Sequence, residues 1–136
     1  MDIDSFKVGM SSSCNKVITK EDVSSFAALT GDNNPIHLCE EFAKTTIFEQ
    51  PVVHGMLVTS LFSKIFGTQF PGNGCIYLEQ SVRFVKPIFL NQDVTAIVTI
   101  NAIDKNKSFL YFDTVCTVED KTVITGFATI HISKVR

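Results

Sequence analysis

A carboxylate and an imidazole stand five positions apart in the segment Thr30-Gly31-Asp32-Asn33-Asn34-Pro35-Ile36-His37. Held at one separation, such a pair can orient a single water between them, which is what general acid–base chemistry needs. The residues in between bear on that separation. Gly31 tolerates positive φ and Pro35 pushes Asn34 toward an extended backbone, so the run opposes helix continuation and sets Asp32 and His37 on a stiff loop. The same residue types also suit plainer uses. An Asp after glycine makes an Asx-turn, and a histidine among apolar neighbours can be a hydrogen-bonded core residue. The segment alone leaves both open.

A second group of candidates lies at His54-Gly55-Met56, where a long apolar run begins. A glycine in the first turn of a helix offers a free N–H and no side chain, so an oxygen gaining negative charge can approach it closely. Gly55 is therefore a candidate oxyanion donor, although tight packing of a helix start calls for a glycine too. Ser63 stands eight positions further on and on roughly the same helical face. A hydroxyl inside an apolar helix needs a partner, either the Thr59 carbonyl or a group in the site. Asp32, His37 and His54 can be drawn as a metal triad, but their spacing lacks the H-x-x-x-H pattern of a helical ligand pair, and no metal is expected. A G-x-S-x-G elbow is absent, and Gly72-Asn73-Gly74 is too short for a phosphate cradle.

The elements that must position these residues can be read from start and stop signals. Residues 13–19 alternate as an edge strand. Thr19 is an N-cap, Glu21 and Asp22 favour a first helical turn, and Gly31 ends that helix after Val23, Phe26, Ala27 and Leu29. Residues 40–45 predict another short helix. From His54 to Phe66 the apolar residues leave only a narrow polar strip, which predicts a helix buried on most sides and closed by Gly67. Residues 70–74 are turn-forming. After Gly74 the chain reads as strand: 75–84, with Ile76, Leu78, Val82 and Phe84 on one face, then 94–103, 109–118 and 122–133, joined by short polar turns. Pro87 marks an edge or bulge. Consecutive strands with short turns imply an antiparallel meander.

Composition bounds the function classes. The chain has 136 residues, 45% hydrophobic and 19% charged, with twelve phenylalanines and no tryptophan, which suits one globular domain with a large core. A net charge of −2 with dispersed lysines leaves no footprint for nucleic acid. Cys14, Cys39, Cys75 and Cys116 form no C-x-x-C pair and are expected to be buried free thiols in a reducing compartment. No signal peptide or membrane span is read, so a soluble cytoplasmic protein is the default.

Phe26, Leu29, Thr30-Gly31-Asp32, Asn34-Pro35-Ile36-His37 and Ala43 together resemble the signature of the MaoC-like, (R)-specific enoyl-thioester hydratases. The resemblance implies an α+β hotdog fold, an antiparallel sheet wrapped around a central, largely apolar helix, as a single domain over 1–136. It also implies two such units paired edge to edge as a homodimer. The implied activity is a hydro-lyase that reversibly hydrates trans-2-enoyl thioesters of coenzyme A or acyl carrier protein to (R)-3-hydroxyacyl thioesters, without metal or redox cofactor. Asp32 and His37 would act on one water and the Gly55 amide would hold the oxyanion, with Asn34 and Ser63 supporting the pair. An acyl chain running past Ser63 would meet Phe66, its i, i+3 neighbour, whose ring would floor the tunnel and favour short chains. A hotdog thioesterase and a non-catalytic MaoC-like subunit are the alternatives. The Asp32 and His37 pairing favours hydration, and the presence of Asp32, His37 and Gly55 argues against a silent copy.

Overall fold

Local stop signals set most of the boundaries in the computed structural model, which describes residues 1–133; positions 134–136 of the expected domain lie outside the described residues. Strand β1 (Ser11–Val17) ends before Thr19, where a reciprocal cap starts helix α1 (Lys20–Thr30). The Asp22 N–H donates to the Thr19 hydroxyl at 3.2 Å, and the Thr19 N–H donates to the Asp22 carboxylate at 3.0 Å. Gly31, at φ 80°, closes α1 through its N–H to the Ala27 carbonyl. Two single-turn helices follow, α2 (Pro35–Leu38) and α3 (Glu40–Ala43), and then the long helix α4 (Gly55–Lys64). The remaining strands are β2 (Cys75–Gln80), β3 (Arg83–Phe84), β4 (Asp93–Asp104), β5 (Phe109–Val118) and β6 (Lys121–Ile132).

Thr19→Ala is expected to lower stability by about 1 kcal/mol, the usual worth of such a cap, in a denaturant melt near neutral pH. The Thr19 backbone N–H holds the Asp22 carboxyl below its usual 3.8. Its contribution is therefore full above 3.8 and is lost as pH falls through the lowered folded-state value, in T19A as in wild type, because the substitution keeps that N–H.

All strand pairs are antiparallel, and the sheet order is β1-β4-β5-β6-β2, with β3 also on β6. Period-two burial along β4, β5 and β6 puts Val98, Ile100, Leu110, Phe112, Cys116 and Ile130 on one face. Val58, Leu61, Phe62, Ile65 and Phe66 pack there in one continuous core cluster. This is the hotdog arrangement, with the sheet folded about α4.

Five expectations are corrected. His37 lies on α2 rather than on an irregular loop, because Asn34 caps the Ile36 N–H at 3.1 Å and Pro35 is tolerated at the first helical position. Helix α4 keeps the expected narrow polar strip, at Ser60 and Ser63, but Met56, counted among its apolar residues, joins that strip at 60% exposed. Gly67 does not close the helix. A wider π turn, Ile65–Gln69, carries it on, with the Phe70 N–H donating to the Ile65 carbonyl at 2.8 Å. In β2 the core-facing residues are Cys75 and Tyr77, whereas Ile76 and Leu78 point outward, 48% and 46% exposed. The four cysteines are free, and Cys116 is buried with its thiol pushed up to about 12 by desolvation, but Cys39 is exposed. No helix among the described residues is long and apolar enough to cross a membrane.

Candidate active site

The turn between α1 and α2 is held by its own side chains. The Thr30 hydroxyl donates to the Phe26 carbonyl at 2.8 Å and accepts the Asp32 N–H at 3.1 Å. The Asn34 N–H donates to the Asp32 carboxylate at 3.4 Å, and the Asn34 side chain caps α2. Asn34 thus touches one candidate and orients the helix that carries the other. Asp32 is exposed and His37 half-buried.

His37 is tied to the strand-like segment before α4 by reciprocal bonds. Its Nδ1–H donates to the Val52 carbonyl at 2.6 Å, and the Val52 N–H donates to the Ile36 carbonyl at 3.2 Å. A ring that donates through Nδ1 keeps its lone pair on Nε2, free for a water. Asp32, His37 and His54 each place a polar side-chain atom within 4.8 Å of the others. Those residues could in principle hold a cation, drawing on His37 Nε2 and His54 Nδ1, since the opposite ring nitrogens both meet backbone carbonyls. The two rings, however, stack at 3.8 Å with planes 27° apart, so their in-plane lone pairs run side by side where a tetrahedral ion needs convergence. The geometry suits proton handling better than ligation.

Gly55 is the first residue of α4, and among the described residues its N–H meets no acceptor. A Cβ there would lie 2.4 Å from the Phe84 ring. The glycine therefore admits a close aromatic neighbour as well as exposing an amide. Phe84 separates two hollows. One, of about 320 Å³, is lined by Val53, Gly55, Phe84 and Lys86. The other, of about 690 Å³, runs between α4 and β2 and is lined by Met56, Ser63, Tyr77, Leu78, Gln80 and Phe84.

The structure brings Asp32, His37, Asn34 and Gly55 into one neighbourhood and leaves Ser63 and Phe66 apart from it. Ser63 is exposed in the larger groove, and among the described residues its hydroxyl bonds neither Asp32 nor the Thr59 carbonyl. The premise of a hydroxyl buried in an apolar helix does not hold. Phe66, 1% exposed, stands edge-on to Tyr77 at 5.0 Å and to Phe112 at 4.8 Å. It does not share Ser63's open face, but it backs Tyr77, which forms the groove wall. Phe84 was missed by sequence reasoning, since it carried no signal beyond strand alternation, and His54 was weighed there only as a metal ligand.

Residues 7–125 match the family model described as a MaoC like domain. The chain belongs to the MaoC-like family. Over 126 residues it is 42% identical to an (R)-specific enoyl-CoA hydratase of Rhodospirillum rubrum, covering 93% of this chain and 88% of that one. It is 41% identical to an (R)-specific enoyl-CoA hydratase of Aeromonas caviae over 97% of this chain and 99% of the relative. The solved A. caviae (R)-hydratase superposes with a TM-score of 0.92 over 95% of the MaoC-like chain and 98% of its own. The fold is thus that of a MaoC-like hotdog domain.

Proposed function

We propose that this MaoC-like protein adds water reversibly to trans-2-enoyl thioesters of coenzyme A, giving (R)-3-hydroxyacyl thioesters. One observation supports this above the rest: Asp32 and His37 hold polar atoms within 4.8 Å of each other, with the His37 hydrogen engaged by the Val52 carbonyl. Two hydrogen bonds of about 2.8 Å meeting at a water's tetrahedral angle span about 4.6 Å, so one water bridges the pair. That water donates one hydrogen to the Asp32 carboxylate and one to His37 Nε2, leaving an oxygen lone pair for the β-carbon. As the C–O bond forms, one of the pair takes a water proton and the double-bond electrons move onto the thioester oxygen. The Gly55 N–H donates to that oxygen, at the positive end of α4. The α-carbon then recovers the proton, so the elements of water are added and the pair is unchanged. Attack from one face gives one hand of product, (R) as in the hydratases the chain resembles.

The larger groove, with Ser63 at its side and Tyr77 as its wall, is assigned to the acyl chain, and the hollow beside Gly55 and Lys86 to the pantetheine arm. The exposed free thiol of Cys39 suits a reducing compartment, and the reaction is placed in the cytoplasm. Purified protein with crotonyl-CoA is expected to remove the ultraviolet absorbance of the enoyl group without releasing thiol. Thiol release instead would replace hydration by thioester hydrolysis. The same assay with crotonyl-acyl carrier protein decides the carrier.

A homodimer is part of this proposal. The two ends of the sheet differ: β1 carries Ser11, Ser12, Ser13, Asn15 and Lys16, whereas β2 presents Ile76 and Leu78 beside exposed Phe84 and Met56. Polar residues blunt an edge and apolar ones invite pairing, so β2 is the edge a second copy covers. Light scattering at micromolar concentration is expected to give twice the 15.1 kDa chain mass, and Leu78→Glu to give one chain. A stable wild-type monomer would contradict this.

A further inference from the structure

One buried polar group takes no part in the chemistry above, yet contacts both residues that do. His54 is 2% exposed. Its Nε2–H donates to the Asp32 backbone carbonyl at 3.0 Å, and its ring stacks on His37 at 3.8 Å. Phe26 of α1 packs against it at 4.8 Å. With the hydrogen on Nε2, Nδ1 carries a lone pair, and among the described residues it is the single buried side-chain polar atom without a partner. Leaving such an acceptor unsatisfied is unfavourable, and an apolar ring of similar shape would fill the site without that loss. Packing alone therefore does not account for an imidazole here.

We propose that His54 is the positioning residue of the Asp32 and His37 pair. One edge of its ring fixes the Asp32 peptide, and its face fixes the plane of His37, so the gap that holds the water keeps one width. No proton passes through it. The proposal rests on Asp32 and His37 being the acid–base pair of the hydratase.

Two substitutions separate its two contacts. His54→Phe keeps a ring for His37 to stack on and removes both nitrogens. His54→Gln keeps an amide N–H for the Asp32 carbonyl and removes the ring. Each is expected to lower kcat for crotonyl-CoA hydration by about 10- to 100-fold, as a small misplacement of reacting groups does. KM should move by less than about threefold, because substrate contacts are untouched. His54→Phe should melt no lower than wild type, which a merely structural histidine would not allow. In His54→Gln the ¹⁵N shifts of His37 should move toward an averaged tautomer. The wild-type protein supplies a check that needs no variant: long-range ¹H–¹⁵N spectra should show His54 carrying its hydrogen on Nε2 and His37 on Nδ1. The opposite tautomer at either ring overturns the proposal. So does a folded variant of each kind with kcat within about twofold of wild type, or a loss of kcat that follows the melting temperature while the His37 shifts stay put. Should Asp32 and His37 variants themselves keep full activity, the acid–base reading falls, while the His37 shifts still report whether His54 sets that ring.

Discussion

Asp32→Asn is expected to lower kcat for enoyl-CoA hydration by about 10²–10⁴-fold, the share that one positioned acid–base group supplies, on the proposal that Asp32 belongs to the reacting pair. The amide keeps the size of the side chain and can still accept the Asn34 N–H, which reaches Asp32 at 3.4 Å. What it loses is the charge that draws a water hydrogen and the second acceptor oxygen. Because Asp32 is exposed, its replacement should change stability by no more than about 0.5 kcal/mol. His37→Asn should lower kcat over a similar range. It also strips the Val52 carbonyl of its side-chain donor and His54 of its stacked neighbour, so a loss of about 1 kcal/mol in stability accompanies it. If both groups act on one water, as proposed, the double variant should be little worse than the poorer single one. Stopped-rate assays on folded protein decide the matter: a variant that keeps most of the hydration rate is not carrying the proton chemistry.

Phe66→Ala has the largest expected effect on stability. The ring is 1% exposed and meets the rings of Tyr77 and Phe112 edge-on, so truncation leaves a void between helix and sheet that rigid neighbours cannot fill. The cost is about 3–5 kcal/mol, measured in a urea melt. That is a large part of the 5–15 kcal/mol or so that holds an ordinary domain together. The same void lies directly behind Tyr77, whose ring lines the groove proposed for the acyl chain. Once Phe66 is removed, Tyr77 can fall back and the groove deepens. The ratio of kcat/KM for longer enoyl thioesters to that for crotonyl-CoA should then rise, by up to about 0.8 kcal/mol for each methylene newly buried. An unchanged chain-length profile in a variant that still folds would reduce Phe66 to a packing residue.

By itself the sequence determined where α1 and the last three strands lie, and which side chains are candidates for the chemistry. Thr19 and Gly31 bound α1 where expected, since a cap and a left-handed glycine act through bonds within one helical turn. The limits of β4, β5 and β6 were legible for a like reason, since a period of two and polar turns are short-range signals, whereas the single strand read over 75–84 is broken into β2 and β3. Asp32, His37 and Gly55 could be named as candidates because their types and their signature lie along the chain. Tertiary structure decided which faces are covered and which distant atoms meet. Alternation in β2 could not tell that Ile76 and Leu78 stay exposed while Cys75 and Tyr77 meet the core, because either face of an apolar strand can be the inner one until the sheet order is set. Met56 counted as apolar on the helix projection yet lies on α4's open stripe with Ser63, beyond the cover of the sheet. His54 depends on contacts of the same kind. Its bond to the Asp32 carbonyl spans 22 positions of sequence, and no local propensity encodes it; only the packing of α1, α2 and the start of α4 against one another puts the two imidazoles face to face.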